Sequence, residues 1–291
     1  TRRIIAIENE IATKQKLAEA LQKKIRKEKQ FARQVEMNTE ARALKREIAR
    51  LKEELELLAE KIFLKRKKLF LLDMDGTLYL DDRLFDGAEE FLSHIRETGG
   101  RYVFLTNNSS KGRGSYMEKM QKLGIPARPE DFITSVDALV YRLKDCYGKE
   151  AVTRKMYIMG TESFKEHMRA EGFNVTDVLA DDIEVLVIGF DRELTFSKLE
   201  DACRLLAEGV DYFATNPDWV CPTEYGYVPD CGSFAFMLEK ATGRKPEFVG
   251  KPEPQMAYLA MKQFGFLPDE TLLIGDRLYT DIACGKNAGI D

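Results

Sequence analysis

The stretch Leu69-Phe70-Leu71-Leu72-Asp73-Met74-Asp75-Gly76-Thr77 joins an apolar run to two carboxylates. Four apolar residues in succession predict a strand buried on both faces, as strands of parallel sheets are. Because alternate residues of an extended strand point to the same side, Asp73 and Asp75 would flank one reacting centre, and Gly76 permits a sharp backbone turn after them. One carboxylate can then attack a substrate while the other transfers protons.

Three further segments follow the same design, in which an apolar run ends in polar residues. They are residues 102–105 before Thr106 and Asn107, residues 248–250 before Lys251, and residues 272–275 before Asp276. Amphipathic helices alternate with these runs from Lys67 onward, which predicts an α/β fold with a Rossmann-like, mainly parallel sheet. Ligands of such sheets bind at the carboxyl ends of the strands, where each polar cluster falls. A lysine, a hydroxyl and a third carboxylate there suit a phosphate substrate held with Mg²⁺.

With these four motifs in this order, residues 67–291 resemble the haloacid dehalogenase superfamily and, within it, the NagD-like phosphatases. The resemblance implies a Mg²⁺-dependent phosphomonoester hydrolase that acts on small phosphorylated metabolites through an aspartyl-phosphate intermediate. Asp73 would be the nucleophile. Asp75 would protonate the leaving oxygen and then activate water.

The resemblance also assigns the other polar residues of the four motifs. The phosphate-binding group is Thr106, Asn107 and Lys251. The metal group is Asp73, Asp75 through its main-chain carbonyl, and Asp276, with Asp281 supporting these ligands from behind. The implied cofactor is therefore Mg²⁺.

Spacing between the motifs locates an inserted domain. Only 28 residues separate Thr77 from Thr106, whereas 140 separate Ser110 from Lys251. We therefore expect a small α/β cap domain at about residues 146–234. The core would then comprise residues 67–145 and 235–291.

Two segments of this cap, residues 214–218 and 226–229, resemble the substrate-facing cap segments of the family. Within them, Asn216 and Asp218 are candidate substrate contacts. Asp230 stands where family members usually have glycine, so the conformation of its loop is not implied by the resemblance.

Residues 1–66 differ in composition from the remainder of the chain. They contain no Gly or Pro and are rich in Ala, Leu, Glu, Lys and Arg, which predicts helix over residues 4–63. Apolar residues recur there at alternating steps of three and four, the spacing of a coiled-coil seam. The first stripe is Ile4, Ile7, Ile11, Ala18, Leu21, Ile25, Ala32 and Val35, and the second is Met37, Ala41, Leu44, Ile48, Leu51, Leu55, Leu58 and Ile62.

The two stripes are out of register near residues 35–38. Either the chain turns at Met37-Asn38-Thr39, since Asn tolerates the left-handed conformation at a helix end, or one long helix presents two faces to different partners. We favour the hairpin. A partner surface must cover the seam, because leaving it exposed forgoes the free energy of apolar burial. That surface would be the other helix of the same chain or a second chain in a homodimer.

Charge divides along the chain at the same place. Residues 1–66 carry 18 Lys and Arg against 11 Glu, whereas the remainder carries 27 basic and 38 acidic residues. Basic residues interleaved with Glu are typical of a solvated coiled-coil flank, so nucleic-acid binding is not expected. The sequence has neither a membrane-length apolar run nor an apolar leader, and its five cysteines form no CxxC pair. We therefore expect a cytoplasmic protein that contacts no membrane.

A competing interpretation starts from the helical segment. The resemblance does not extend to the glycine-free coiled coil, and it implies a further strand after Asp291, where the given sequence ends. The chain would then be an engineered chimera or an assembly scaffold, in which the helical segment functions and the phosphatase domain is a carrier. The intact motifs favour the enzyme, because four independent placements coincide.

Overall fold

The computed structural model describes residues 2–80, 82–223 and 225–291. The chain divides into two compact units, Thr1–Arg66 and Lys67–Asp291. The first unit is helical and the second is α/β, in agreement with the predicted fold class. Among the described residues, no helix combines the length and the apolar character needed to cross a membrane.

The helical unit is a hairpin of α1 (Arg2–Ile25) and α2 (Phe31–Arg66). Ion pairs on its flanks join α1 to the returning α2, with Arg3 Nη2 2.7 Å from Glu54 Oε1. The apolar side chains packed between the helices are Ile7, Ile11, Ile48, Leu51, Leu55 and Leu58. The second predicted stripe therefore meets the beginning of the first, and α1 covers it within the chain. The side chain of Ile62, the last member of the stripe, lies outside the described residues.

The turn of the hairpin does not lie at Met37-Asn38-Thr39, so that prediction was wrong. The chain turns at residues 26–30, and α2 continues through Asn38. Asn38 Nδ2 donates to Gln34 O at 2.8 Å, so its amide is satisfied inside the helix and does not end it. At the actual turn, Glu28 Oε1 accepts hydrogen bonds from the next two main-chain N–H groups at 2.9 Å.

The α/β unit alternates strands and helices along Lys67–Asp291. Its described strands are β1 (Leu69–Asp73), β2 (Tyr79–Leu80), β3 (Arg83–Leu84), β4 (Arg101–Thr106), β5 (Phe132–Thr134), β6 (Lys155–Met159), β7 (Asn174–Thr176), β8 (Val185–Ile188), β9 (Asp211–Ala214), β10 (Val220–Thr223), β11 (Gly226–Pro229), β12 (Glu247–Phe248) and β13 (Thr271–Ile274). Its described α-helices are α3 (Ala88–Glu97), α4 (Arg113–Lys122), α5 (Ser135–Tyr147), α6 (Glu162–Ala170), α7 (Phe196–Glu208), α8 (Cys231–Thr242), α9 (Gln255–Phe264) and α10 (Ala283–Ala288). The two pairs β2–β3 and β10–β11 are antiparallel hairpins.

Four strands form a parallel sheet in the order β13-β1-β4-β5. Side chains alternate across β1, so Leu69 and Leu71 join an apolar cluster with α5 and α9, whereas Phe70 and Leu72 join a cluster with α3 and α4. Both faces of β1 are buried, as its uninterrupted apolar run predicts. Since all four strands are parallel, their carboxyl ends lie at one edge of the sheet.

Five further strands form a second parallel sheet in the order β12-β9-β8-β6-β7. One face, which includes Ile158 and Val187, belongs to the same apolar cluster as Leu69 and Leu71. The opposite face packs against α7 and α8. The apolar layer that contains α5 and α9 is therefore common to both sheets.

The strand before Lys251 belongs to the second sheet and not to the first. Glu247 and Phe248 of β12 pair with Phe213 and Ala214 of β9. The predicted boundary between residues 234 and 235 falls inside α8, which packs on the second sheet. A two-residue strand has no periodicity from which the sequence could assign it to a sheet.

Candidate active site

A small cavity of about 50 Å³ lies where the ends of β1 and β4 meet the segments that follow β9, β12 and β13. The predicted site residues that line it are Asp73, Asp75, Thr106, Asn107, Asp218, Lys251 and Asp281. Residues far apart in the chain are thus brought to one place.

Lys251 lies buried between two carboxylates. Its Nζ is 2.5 Å from Asp73 Oδ1 and 2.6 Å from Asp281 Oδ1. Burial lowers the pKa of Lys251, but the charges of Asp73 and Asp281 outweigh burial and raise the pKa above its ordinary value. The ammonium is therefore charged at neutral pH and can stabilise an anion in the cavity.

Asp73 ends β1, and Thr77 Oγ1 donates to its Oδ2 at 3.3 Å. Burial raises the pKa of Asp73 to about 6, and the neighbouring carboxylates of Asp281 and Asp276 add to the effect while Lys251 opposes it. A cation bound beside Asp73 would lower this pKa, because an opposite charge favours the ionised form.

Three carboxylates converge beside Lys251. Asp73, Asp276 and Asp281 each offer an oxygen atom within 4.8 Å of the other two. Two glycines permit this approach, since a Cβ at Gly275 would lie 2.3 Å from Asp281 Cβ and one at Gly76 would lie 2.8 Å from Asp276 Oδ2. Clustered carboxylate oxygens suit a hard cation such as Mg²⁺. Asp281, expected to act from behind the ligands, lies within the cluster itself.

The side chain of Asp75 lines the same cavity but is 44% exposed. Lys119 Nζ on α4 lies 3.6 Å from Asp75 Oδ1 and 3.8 Å from the centre of the Tyr79 ring. A carboxylate that faces both the cavity and water can exchange protons with either. Sequence reasoning missed Lys119, because nothing along the chain links a lysine of α4 to the end of β1.

Thr106 is buried at the end of β4 and lines the cavity. Its Oγ1 accepts a hydrogen bond from the main-chain N–H of Asn108 at 3.1 Å, and Asn108 Oδ1 accepts from the N–H of Ser110 at 2.9 Å. These local bonds hold the loop after β4. The Thr106 hydroxyl is thereby fixed at the cavity, where a hydroxyl can donate to an anion.

The side-chain amide of Asn107 is bonded to the protein on both sides. Its Nδ2 donates to Asp218 Oδ2 at 2.8 Å and to Lys251 O at 2.9 Å, and its Oδ1 accepts from Lys251 N at 2.8 Å. A Cβ at Gly250 would lie 2.6 Å from Asn107 Oδ1 and 2.4 Å from Thr215 O, so glycine is needed for this approach. Asn107 therefore fixes the main chain of Lys251 and ties the end of β4 to the second sheet.

The two cap residues predicted to contact substrate hold other residues in position, and of the two, Asp218 but not Asn216 lines the cavity. Asn216 is fully buried, with its Nδ2 donating to Asn107 O at 2.8 Å and its Oδ1 accepting from Asp218 N at 3.0 Å. Asp218 lines the cavity, and its carboxylate accepts from Asn107 and from Arg277 Nη1, the latter at 3.0 Å. Asn216 thus orders the loop, and Asp218 anchors an arginine.

Sequence reasoning assigned no role to two charged residues of the cavity wall, Arg277 and Asp230. Asp230 is 5% exposed, and its Oδ1 accepts from Cys231 N at 2.5 Å at the start of α8. Burial raises the pKa of Asp230 to about 7, with the N–H of Cys231 opposing this and the Asp218 charge adding to it. The sequence did contain a signal for Asp230, because an aspartate stands there in place of the glycine that is usual in the family.

Known proteins match the α/β unit at the level of sequence. Residues 70–174 match the family model of haloacid dehalogenase-like hydrolases, and residues 248–291 match a HAD-hydrolase-like model. The acid sugar phosphatase of Staphylococcus aureus (strain MRSA252) is 31% identical over 221 residues, which are 76% of this chain and 83% of that protein.

Solved structures match it as well. A 4-nitrophenylphosphatase from Thermotoga maritima aligns with a TM-score of 0.72 and 39% identity, over 78% of this chain and 85% of that one. A glycerol phosphate phosphatase from Mycobacterium tuberculosis, solved in complex with magnesium, aligns with a TM-score of 0.71 and 30% identity, over 78% and 68%.

The parallel sheet and its carboxylate cluster, together with these matches, define the class. The chain belongs to the haloacid dehalogenase-like hydrolases and, among them, to the NagD-like phosphatases. It is therefore a phosphatase, as the motifs predicted.

Proposed function

We propose that the protein hydrolyses small phosphate monoesters with Mg²⁺ through an aspartyl-phosphate intermediate. One observation carries the proposal. In the cavity, Lys251 Nζ lies 2.5 Å from Asp73 Oδ1, and Asp73 belongs to a cluster of three carboxylates. The names of the relatives point to sugar phosphates, glycerol phosphate and 4-nitrophenyl phosphate as compounds to try.

The donor set fits Mg²⁺. Three carboxylates with oxygens within 4.8 Å of one another are hard ligands, and no soft thiolate belongs to that described cluster. Asp73 and Asp276 would hold the ion with the main-chain carbonyl of Asp75, while Asp281 is divided between the cluster and Lys251. The bound ion would supply positive charge that offsets the charge of the phosphate.

Two carboxylates would then carry the reaction. An oxygen of Asp73 bonds to phosphorus while the ester oxygen departs and takes a proton from Asp75. Asp75 next takes a proton from water, and the water oxygen bonds to phosphorus and displaces Asp73. Lys251 and Thr106 stabilise the negative charge on the transferred group throughout.

The second sheet would act as a cap. We assign this role to the predicted region 146–234, extended through α8 and β12 because both join that sheet. Support comes from the side chains that it contributes to the cavity wall, Asp218 and Asp230. These would face the leaving group, while the first sheet faces the phosphate.

The test uses release of 4-nitrophenol from 4-nitrophenyl phosphate by the full chain. We expect turnover with Mg²⁺, loss with a chelator, and recovery when Mg²⁺ is restored. In Asp75→Asn we expect slow turnover and accumulation of a phosphorylated protein, because breakdown of the intermediate needs the base. If rapid quenching finds no hydroxylamine-sensitive phosphoprotein in the parent or in this variant, the covalent route is wrong.

A further inference from the structure

The cavity wall contains a carboxylate that the proposed reaction leaves unused. The two cations of the wall are already paired, Lys251 with Asp73 and Asp281, and Arg277 with Asp218. For Asp230, no nitrogen of a Lys, Arg or His side chain lies within 4 Å of the carboxylate anywhere in the described part of the chain. Its pKa is about 7, so above that pH the carboxylate is charged and has no cationic partner of its own.

Asp230 is also held in place. Its Oδ1 accepts from Cys231 N at 2.5 Å, which makes it the N-cap residue of α8, and the side chain is buried. The other titratable groups around it come from separate elements. They are Asp218 after β9, Cys221 of β10, Cys231 of α8, Tyr116 of α4 and Arg277 after β13. A fixed carboxylate in such a wall cannot turn away from a ligand into water.

We propose that Asp230 selects the leaving group of the substrate. It disfavours phosphate esters whose leaving group carries a carboxylate or a second phosphate, and it favours those that present hydroxyl or amine donors. The inference rests on the proposed phosphatase reaction and names its substrate class as neutral or cationic polyol and amino-alcohol phosphates.

The physical reason is the environment of the carboxylate. A second negative charge placed beside a buried one is repelled strongly, because little water remains to screen the pair. A hydroxyl or ammonium group instead donates to the carboxylate and satisfies it. Asp230 therefore discriminates between substrates in two ways: it repels anionic leaving groups and it attracts leaving groups that carry a donor.

The experiment compares glycerol 3-phosphate with 3-phosphoglycerate, which differ only in a hydroxymethyl group against a carboxylate. Every assay is run at about pH 8, where most of Asp230 is ionised. We expect the parent to prefer glycerol 3-phosphate in kcat/KM. In Asp230→Asn and Asp230→Ser, both of which can cap a helix, the preference should fall by about tenfold or more through a gain on 3-phosphoglycerate. Asp182→Asn, which removes an exposed carboxylate paired with Lys155, is the charge-matched control and should leave the preference unchanged.

An unchanged preference in both folded Asp230 variants would overturn the inference, and so would a fall caused only by lost glycerol 3-phosphate hydrolysis. A measurement on the parent needs no variant: 3-phosphoglycerate should inhibit 4-nitrophenyl phosphate hydrolysis at least about tenfold more weakly than glycerol 3-phosphate. Equal inhibition by the two esters would contradict the role of Asp230. Failure of the parent to hydrolyse 4-nitrophenyl phosphate would instead refute the proposed function itself.

Discussion

In the helical hairpin the charged side chains lie in water, whereas in the α/β unit several lie inside the protein. The side chains of the pair Arg3–Glu54 are 64% and 38% exposed, and those of Lys251 and Asp281 are 3% and 1% exposed. Exposed pairs contribute little to stability, and buried charges are costly unless each is compensated. The difference indicates where chemistry is concentrated, since among the described residues the α/β unit buries charge at a cost in folding free energy and the hairpin does not.

The largest expected effect is a loss of activity from changing one buried charge of the α/β unit, with the hairpin left as it is. Asp73→Asn should lower kcat by several orders of magnitude, because an amide is a poor nucleophile and a poor metal ligand. The fold should persist, because the amide is nearly isosteric with the carboxylate and Lys251 keeps Asp281 as an ion-pair partner at 2.6 Å. Turnover and thermal melting of parent and variant decide this, and activity within about tenfold of the parent would contradict the assignment of the nucleophile.

A smaller effect is expected on the free energy of unfolding when the buried carboxylate of Asp230 is removed. Its pKa is about 7 in the folded protein against 3.8 as the ordinary value, so the contribution of Asp230 to stability is present below about pH 4 and is lost as pH rises through 7. Asp230→Asn should therefore match the parent at low pH and exceed its free energy of unfolding by up to about 4 kcal/mol at pH 8.

Urea unfolding across this pH range measures the difference. Asp182→Asn is the contrasting variant, because the exposed Asp182 carboxylate has a pKa lowered by its hydrogen bond to Lys155. Its stability difference should have the opposite sign, with the parent favoured as pH rises. A curve for Asp230→Asn parallel to that of the parent would show that burial does not perturb this carboxyl group.

In the hairpin, Leu51→Glu places a charge among apolar side chains instead of in water. Leu51 is 9% exposed between the helices, so a charge there should destabilise the hairpin by roughly 3 kcal/mol. Leu57 of the same helix is 58% exposed, and Leu57→Glu should be close to neutral. Far-UV circular dichroism follows the helices, and 4-nitrophenyl phosphate follows the enzyme. We expect loss of helical signal with turnover retained, since every predicted site residue belongs to Lys67–Asp291.

The smallest expected effect comes from comparing two glycines of the α/β unit, one beside the active site and one distant from any neighbour. Gly250→Ala would force a Cβ to 2.4 Å from Thr215 O, so the segment before Lys251 must shift, at a cost of about 2 kcal/mol in stability together with reduced turnover. A Cβ at Gly114 in α4 meets nothing within 4 Å, and Gly114→Ala should be neutral or slightly stabilising. Equal melting temperatures for the two variants would contradict the close approach at Gly250.

The fold of the α/β unit could be predicted because its strands are short apolar runs with polar ends. The run before Asp73 and the runs before Thr106 and Asp276 became adjacent strands of one parallel sheet. The hairpin turn could not be located, because Asn38 favours a helix end only when its amide has no partner within the helix, and here Gln34 O supplies one.

The site could be predicted as far as its residues lie in motifs. Asp73, Thr106 and Lys251 follow strands, and the general rule for open α/β sheets brings strand ends together. The arrangement around Asn107 could not be foreseen, since its amide joins positions 144 residues apart. Nor could the pairing of Arg277 with Asp218, which depends on how the second sheet packs and not on any local pattern.

The apolar layer shared by the two sheets bears on how the protein unfolds. Leu139 of α5 and Met256 of α9 belong to one cluster with Val103 of the first sheet and Val187 of the second. Removing either sheet would expose that layer to water, so neither half can melt while the other keeps its interior. Calorimetry should therefore show the two sheets losing structure in a single cooperative transition.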